Sequence, residues 1–417
     1  MTVSIEICNA TDGIAGRWTG GHRRVILPPG EQLQRPSGVQ AVSLLINVGL
    51  LPERPETAFI SRSEQRASAR VGLLCESLTD DLVGRTASRV MCIWGYAMID
   101  TNVRYYSKFG GLWIDKEDRQ EVERVLSNIP DSALQRDIRS FERDGFVVLE
   151  QAVPHEDIDR YREEFQFAAD HTVEMLMTRR DKPGRFQFDG SAAKQPGSKI
   201  LDTAMLMESG HKLSFAPRVS QFLRALFEGP ALAFQSLHFE VGSTQAIHQD
   251  TAYVVVNETP LQLIASWIAL EDIVAGSGEL TYYVGGHRLR EHLYDEGESK
   301  HFSRPRDGAE PHLAHLKYLH EESRRLGLHK QSFAARKGDV LMWHSDLPHG
   351  GGPITVQGVT RRALVTHYCP IAATPRYFAK FTPERCQKVH TSSGDAMVSW
   401  FYEAKRFQSV RVRETAE

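Results

Sequence analysis

The second half of the chain is dominated by short apolar segments separated by turn signals. Six of them have the length and composition of strands: Ala231–Val241, Ile247–Val256, Leu261–Leu270, Glu279–Val284, Val340–His344 and Arg362–Tyr368. They lack the regular intervening helices that join the strands of a parallel sheet. The pattern therefore predicts an antiparallel double sheet, a jelly roll, whose open end can admit a ligand.

Helical and mixed segments precede these strands. Apolar residues recur with helical spacing in the first of them, which stops at Gly145, a residue suited to the left-handed turn after a helix. We predict helices over Ala133–Asp144, His155–Met177, Val219–Phe227 and Glu310–Leu326, and a strand over Phe146–Glu150. The sequence thus predicts a mostly β domain, residues 131–417, flanked by helices.

Residues 1–130 contain short apolar runs divided by glycine, proline and charge, and one charged helical segment, Lys116–Leu126. No nucleotide-binding loop, metal cluster or nucleophile motif occurs in this region of the sequence. We expect a β-rich N-terminal accessory domain, and substrate recognition or self-association into a homodimer is a hypothesis for its role.

Composition narrows the class of protein. The 50 Lys and Arg residues nearly balance 53 Asp and Glu, a formal net charge of -3, so charge gives no general case for binding nucleic acid or an acidic membrane surface. Five widely spaced cysteines without a CxxC pattern favour reduced thiols. The sequence shows no basic leader and no apolar run of about 18 residues. We expect a soluble, cytoplasmic protein.

The segment Ala246–Thr251 carries a His-x-Asp triplet. In an extended strand His248 and Asp250 project from one face while Gln249 points away. One imidazole and one carboxylate are two thirds of the 2-His-1-carboxylate triad that holds Fe(II). Such a triplet is, however, more often a surface pair when it stands alone.

A second histidine and an anion-binding arginine each have two candidates. His349 begins a glycine-rich turn that allows close backbone approach, whereas His344 ends an apolar strand, and we prefer His349. Arg361 and Arg362 enter the last strand on opposite faces, so only one can enter the barrel and fork a carboxylate. The histidines of the insertion between Gly286 and Ala335, His312 and His315 among them, converge poorly for a second metal.

Taken together, these motifs resemble the phytanoyl-CoA dioxygenase family of Fe(II)/2-oxoglutarate-dependent oxygenases. The resemblance extends from Phe141 to Tyr368 and includes Arg143–Leu149, Gly242–Asp250, Ser266–Asp272, Gly278–Leu280, Gly285–Arg288, Lys337–Val340, His349–Gly350 and Arg361–Tyr368. It implies a double-stranded β-helix in which His248, Asp250 and His349 ligate iron. It also implies that Arg361 pairs with the distal carboxylate of 2-oxoglutarate and that Trp267 and Gln235 line its pocket.

The resemblance implies Fe(II) as cofactor, with 2-oxoglutarate and O2 as cosubstrates. Oxidation of an unactivated C–H bond, most simply hydroxylation, is then coupled to decarboxylation of 2-oxoglutarate to succinate and CO2. No catalytic side chain beyond the iron site is implied. Related halogenases lack the carboxylate ligand, and Asp250 therefore argues against halogenation, whereas desaturation, epoxidation and cyclisation stay open.

Two other classes compete with this reading. A cupin-like isomerase or small-molecule-binding protein would use the metal without oxygen and would not need Arg361. A catalytically silent scaffold would not need the complete triad. For the substrate, the basic stretch Thr178–Ser198, with Arg179 and Arg185, suggests an anionic or carrier-attached metabolite, although charged loops are usually solvated.

Overall fold

The computed structural model describes residues 107–404, except 172–173, 258 and 377–385, and the backbone of three strands nearer the N-terminus. The chain divides into two compact units, Met1–Met91 and Cys92–Glu417. In the first unit β1 (Ser4–Cys8) pairs in antiparallel fashion with β2 (Arg23–Ile26) and β3 (Ser43–Asn47). The remainder of the expected accessory domain, up to residue 106, lies outside the described residues, and its role stays a hypothesis.

The second unit contains the remaining strands and all the labelled helices. Its strands are β4 (Phe146–Leu149), β5 (Leu176–Thr178), β6 (Phe186–Gln187), β7 (Lys199–Leu201), β8 (Ala231–Phe239), β9 (Ile264–Ala269), β10 (Leu280–Tyr283), β11 (Lys330–Ser332), β12 (Val340–His344), β13 (His349–Gly351), β14 (Ala363–Pro370), β15 (Val389–His390) and β16 (Ala396–Met397). Its helices are α1 (Arg119–Ser127), α2 (Ser132–Asp144), α3 (His155–Asp170), α4 (Gly190–Ala193), α5 (Thr203–Leu206), α6 (Glu208–Ser214), α7 (Pro217–Phe227), α8 (Arg304–Asp307) and α9 (Glu310–Arg325).

Two sheets form the centre of this unit. The larger sheet has the strand order β4-β12-β9-β14-β8-β7-β5-β6, and the smaller sheet has the order β11-β10-β13. Among the described pairs β16 joins β8 in parallel, and every other pair is antiparallel. The prediction of a sheet-rich, antiparallel fold with flanking helices is therefore confirmed.

Alternation along the central strands separates two cores. Ile264 and Ile268 of β9 pack into the core shared with the helices. Trp267, between them in sequence, packs toward Leu280 and Tyr282 of the smaller sheet. Because both faces of the larger sheet are covered, its strands read as nearly continuous apolar runs. The layers are thus helices, larger sheet and smaller sheet, and the inter-sheet space is available for a site.

Helix α2 begins and ends where the sequence signals lie. The Asp131 carboxylate accepts hydrogen bonds from the backbone N–H groups of Ala133 and Leu134. Gly145 ends the helix with φ +80°, a conformation that glycine adopts without steric cost. The chain is then aimed directly into β4, which pairs with β12.

Two predicted elements are wrong in their extent. The helix predicted over His155–Met177 ends at Asp170, and Leu176–Thr178 instead forms β5, paired with β7. The strand predicted over Ile247–Val256 is a loop with a 3-10 turn at Asp250–Ala252. Pairing with a distant segment overrides local pattern in both places.

The segment before α2 packs with the second unit. Trp113 and the α1 residues Val122 and Leu126 are buried in the same core as α2 and α7. The Trp113 indole Nε1–H donates to the carbonyl of Ala225 at 2.8 Å. These contacts assign residues 112–126 to the second unit. Within the described part of the chain, no helix combines the length and apolar character needed to cross a membrane.

Candidate metal centre and active site

Three predicted ligands converge between the sheets. One potential ligand atom from each of His248, Asp250 and His349 lies within 4.8 Å of the other two. Asp250 Oδ1 is 3.8 Å from His248 Nε2 and 3.7 Å from His349 Nε2. Among the described residues this is the one cluster of three or more such side chains that could hold a metal ion.

Backbone pairing, rather than a regular strand, brings the ligands together. His248 and His349 exchange two backbone hydrogen bonds of 2.9 Å each, an isolated antiparallel bridge. The Asp250 N–H donates to the Ser345 carbonyl at 2.9 Å. The ligand segments therefore fix each other, although the predicted strand is absent.

Gly350 permits this close approach. A Cβ atom at this position would lie 2.6 Å from the carbonyl oxygen of Gln245, which is backbone and cannot swing aside. The glycine directly after a candidate ligand is thus required by the packing of one ligand segment on the other.

Both histidines have the tautomer that a metal ligand needs. Nδ1 of His248 contacts the carbonyl of Ala246 at 2.8 Å, and Nδ1 of His349 contacts the carbonyl of Leu347 at 2.9 Å. A carbonyl can only accept, so each Nδ1 carries the hydrogen and each Nε2 keeps its lone pair. Burial and the neighbouring His349 lower the pKa of His248 to about 3, so it is neutral at physiological pH.

The second oxygen of Asp250 is held by residues that the sequence analysis did not single out. Oδ2 accepts from the indole Nε1–H of Trp343 at 2.8 Å and lies 3.4 Å from Nε2 of His367. Burial alone would raise the pKa of Asp250, but the adjacent His349 and His367 outweigh burial and hold the pKa well below its usual range. The carboxylate is therefore ionised.

A cavity of ≈ 620 Å³ opens above the triad, within the usual size range of small-molecule sites. Its walls come from both sheets and from the loops at the mouth. Besides the three triad residues, the cavity is lined by Thr178, Gly184, Arg185, Lys199, Leu201, Gln235, Leu237, Phe239, Ser243, Gln245, Tyr253, Val254, Trp267, Leu280, Trp343, Gly350, Arg361, Val365, His367 and Phe401. Gln235, Trp267 and Arg361 thus face the same space as the triad.

Arg361 is the inward member of the arginine pair. It is 2% exposed, and its guanidinium carbon lies 5.3 Å from the ring centre of Phe239 and 5.4 Å from that of Trp267. Burial lowers its pKa to about 10, against the opposing effect of Glu279 and Glu271, so it stays charged at neutral pH. Within the part of the chain that the structure describes, its Nε and Nη1 atoms have no hydrogen-bond partner.

Arg362 and His344 are engaged elsewhere. Arg362 forms ion pairs of 3.0 Å with Glu240 and with Glu271. Nε2 of His344 lies 3.3 Å from the carboxylate of Asp115, outside the cavity. The structure therefore separates both pairs of candidates left open by the sequence and puts Arg361 and His349 in the cavity.

The insertion histidines serve as hydrogen-bonding groups. His312 Nε2 contacts the Tyr253 hydroxyl at 2.5 Å. His315 contacts the Tyr294 hydroxyl at 2.8 Å and Gln249 Oε1 at 3.1 Å. Gln249 accordingly points away from the triad, as the sequence predicted.

The basic stretch Thr178–Ser198 contains short regular elements, and its two candidate arginines, Arg179 and Arg185, make different contacts. It contains β6 and α4, and Arg179 is bound in an ion pair of 2.5 Å with Asp181. Arg185 instead lines the cavity, with its guanidinium carbon 5.4 Å from the Phe401 ring centre. Lys199, just after the stretch, also lines the cavity and donates to Gln245 Oε1 at 2.7 Å.

Three comparisons relate the chain to known proteins. The family model described as phytanoyl-CoA dioxygenase (PhyH) matches residues 141–363. Peroxisomal phytanoyl-CoA dioxygenase of Homo sapiens is 24% identical over 267 residues, which cover 60% of this chain and 71% of the human protein. A probable phytanoyl-CoA dioxygenase of Caenorhabditis elegans is 23% identical over 254 residues, covering 57% and 75% respectively.

Among solved structures, the alpha ketoglutarate-dependent epimerase SnoN from nogalamycin biosynthesis has a TM-score of 0.45 at 19% identity, covering 64% of this chain and 98% of its own. EctD from S. alaskensis, with 2-oxoglutarate and 5-hydroxyectoine, has a TM-score of 0.41 at 17% identity, covering 59% and 78%. The family model spans more than half of the chain and includes the triad and Arg361. This chain belongs to the phytanoyl-CoA dioxygenase family.

Proposed function

We propose that this chain is an Fe(II)/2-oxoglutarate-dependent oxygenase that hydroxylates an unactivated C–H bond of a small anionic metabolite. Enzymes of its family depend on Fe(II), 2-oxoglutarate and O2. The observation that carries the proposal is the convergence of His248, Asp250 and His349 in a cavity that also holds the buried guanidinium of Arg361. The two facing antiparallel sheets support a double-stranded β-helix as the scaffold.

The donor set fits Fe(II). Two neutral imidazole nitrogens and one carboxylate oxygen are the ligands of the facial triad, which leaves positions open for a cosubstrate and oxygen. Here the Nδ1–H groups of His248 and His349 bond to backbone carbonyls, an arrangement that fixes the ring orientation of metal-bound histidines. We therefore assign iron ligation to these two Nε2 atoms and to Asp250 Oδ1.

The deep end of the cavity fits the distal carboxylate of 2-oxoglutarate. Buried donors without a partner are costly, and Arg361 Nε, Arg361 Nη1 and Trp267 Nε1 are such atoms in the described structure. A carboxylate is the natural acceptor for a guanidinium fork. Arg361 would bind it, Trp267 would lie beside it, and Gln235 would line the same pocket.

When bound, iron and 2-oxoglutarate would enable O2 to oxidise a C–H bond of the substrate, and 2-oxoglutarate would be converted to succinate and CO2. The protein positions the reacting groups and keeps water away from them, because Phe239, Trp267 and Leu237 form apolar walls around the reacting region. Asp250 occupies the ligand position that a halide would need, which favours delivery of oxygen to the substrate.

The charges lining the cavity support an anionic substrate. Its two arginines, Arg185 and Arg361, outnumber its one carboxylate, Asp250, even without Lys199, whose pKa burial lowers. Adding Fe(II) and the 2-oxoglutarate dianion leaves this balance unchanged, so a positive excess remains for a substrate. Arg185 at the mouth, rather than the ion-paired Arg179, is our candidate for attracting it.

The test is an anaerobic titration of the intact protein with Fe(II) and 2-oxoglutarate, monitored by the weak visible charge-transfer band of the iron–oxoacid chelate. We expect a band with the native chain and its loss in His248→Ala. Release of succinate in air then separates an oxygenase from a cupin-like isomerase that uses the metal without oxygen or 2-oxoglutarate. Absence of the band from the native protein, or an undiminished band in His248→Ala, contradicts the proposal.

A further inference from the structure

We propose that Trp343 and His367 are positioning residues that hold the outer oxygen of Asp250, so that its other oxygen faces the metal. This inference rests on the proposed function, because it assumes metal binding at the triad. It adds two side chains to the site that neither the His-x-Asp motif nor the second histidine indicates.

Trp343 makes the shorter of the two contacts with Asp250 Oδ2. Its indole N–H donates to Asp250 Oδ2 at 2.8 Å, while Oδ1 lies toward both histidines of the triad. The indole ring also packs 4.8 Å from the ring of His349, centre to centre. An indole N–H can donate a hydrogen bond but cannot accept one, so Asp250 Oδ2 is the acceptor in this contact.

His367 lies against the same oxygen from β14. Its Nε2 is 3.4 Å from Asp250 Oδ2, and neither ring nitrogen forms a well-directed hydrogen bond in the described structure. The side chain is 3% exposed, so water does not replace a partner. Burying an imidazole whose nitrogens lack hydrogen-bond partners costs free energy. A small rotation of the ring would give Nε2 a direct hydrogen bond to Asp250 Oδ2 and so reduce that cost.

The backbone of β14 fixes where this ring can go. His367 is opposite Ala265 on β9 and opposite Gln235 on β8. The register with β8 shifts between His367 and Tyr368, an irregularity of the kind that re-aims side chains near active sites. The imidazole is thereby directed to the cavity, whereas the Tyr368 hydroxyl bonds to Ser214 in the helical layer.

Two donors on one oxygen restrict how the carboxylate turns. A carboxylate can bind a metal through one oxygen or both, and outer partners decide its orientation. With Oδ2 held by Trp343 and His367, Oδ1 remains as the single oxygen for the metal. The site then keeps its remaining positions for the cosubstrate and oxygen.

The experiment compares His367→Gln with His367→Asn. The Gln amide nitrogen reaches as far as Nε2 of histidine, whereas the Asn amide nitrogen reaches only as far as Nδ1, so Gln alone can donate to Asp250 Oδ2. His367→Phe and Trp343→Phe keep a ring and remove the donor. Each variant is titrated with Co(II) alone, by chelator competition and by its visible spectrum, and is melted without added metal.

We expect Asn and Phe at position 367, and Phe at position 343, to raise the Co(II) dissociation constant by roughly 10- to 100-fold, the usual effect of losing an outer partner of a ligand. Gln should restore affinity to within about threefold and restore the native spectrum, while the Gln and Asn variants melt alike. Equal Co(II) affinity and spectra in the Gln and Asn variants would overturn the inference. If the native chain itself fails to bind Co(II), or binds it as tightly after His248→Ala, the proposed iron site falls as well.

Discussion

Replacement of Arg361 by glutamine tests whether the deep end of the cavity binds 2-oxoglutarate. The guanidinium carbon lies 5.3 Å from the ring centre of Phe239 and 5.4 Å from that of Trp267, and two of its nitrogens, Nε and Nη1, have no partner among the described residues. These two nitrogens lie on different edges of the guanidinium, so a carboxylate makes its two-pronged contact with Nη2 and one of them. Arg362 provides a matched control, because the same substitution there removes a neighbouring arginine that faces away.

The magnitude follows from the two hydrogen bonds of such a fork. Each hydrogen bond to a charged group contributes about 1.5–3 kcal/mol, so two bonds represent roughly 3–6 kcal/mol. Each 1.4 kcal/mol corresponds to about a tenfold change in affinity. Because a glutamine amide recovers part of one bond, we expect the lower end of this range, a rise of about 100-fold in the dissociation constant of 2-oxoglutarate.

The assay is anaerobic calorimetric titration of the Fe(II)-loaded protein with 2-oxoglutarate. Arg361→Gln should bind iron normally and bind 2-oxoglutarate weakly. Arg362→Gln should lose some stability, through its ion pairs with Glu240 and Glu271, and keep affinity for 2-oxoglutarate within about threefold. Native affinity in Arg361→Gln, or an equal loss in Arg362→Gln, would refute the assignment.

Two further predictions concern the cavity mouth and the charges behind the site. Arg185→Gln should raise KM for carboxylated substrates at low salt by about tenfold and leave their amides unaffected, whereas the ion-paired Arg179→Gln should change neither; equal effects of the two variants in a steady-state assay would contradict an anion site at Arg185. Burial disfavours a charged His344, but Asp115 outweighs burial and raises its pKa above the ordinary value. This stabilisation is present below the unfolded-state pKa of about 6.5 and is lost as pH rises through the higher folded-state value. Urea unfolding should therefore show a smaller loss of stability from about pH 6 to pH 8.5 in His344→Gln than in the native chain, and parallel profiles would contradict this.

Much of the site could be predicted from the sequence because few other residue types can do what its residues do. His349 was preferred for the glycine that follows it, and the structure gives the reason: any Cβ at Gly350 would strike the backbone of the other ligand segment. Opposite faces for Arg361 and Arg362 followed from strand periodicity. The choice between the two arginines required the tertiary structure, in which Glu240 and Glu271 claim Arg362.

Other parts could not be predicted because distant partners determine them. The segment after Ile247 has the composition of a strand, but its backbone bonds go to Ser345 and His349, which bend it into a turn at Asp250. Leu176–Thr178 likewise leaves the helical pattern to pair with β7. His367 carries a usable signal, since it follows Arg361 at an even spacing and extended segments put such residues on one face, whereas nothing local distinguishes Trp343 from a core tryptophan.

A buried charge cluster joins the long insertion to the two loops that carry the candidate metal ligands. Asp346 precedes the ligand His349 by one turn, and its carboxylate accepts from the Thr251 hydroxyl, next to Asp250, at 2.6 Å. Its other oxygen pairs at 2.6 Å with Lys300 of the insertion, which also pairs with Glu291. Buried ion pairs add little net stability, but they are costly to break one partner at a time, and they therefore favour one register of the segments that they join. The insertion is in this way coupled to the two loops that carry the candidate metal ligands, so loss of one of these buried charges should disturb the position of both loops.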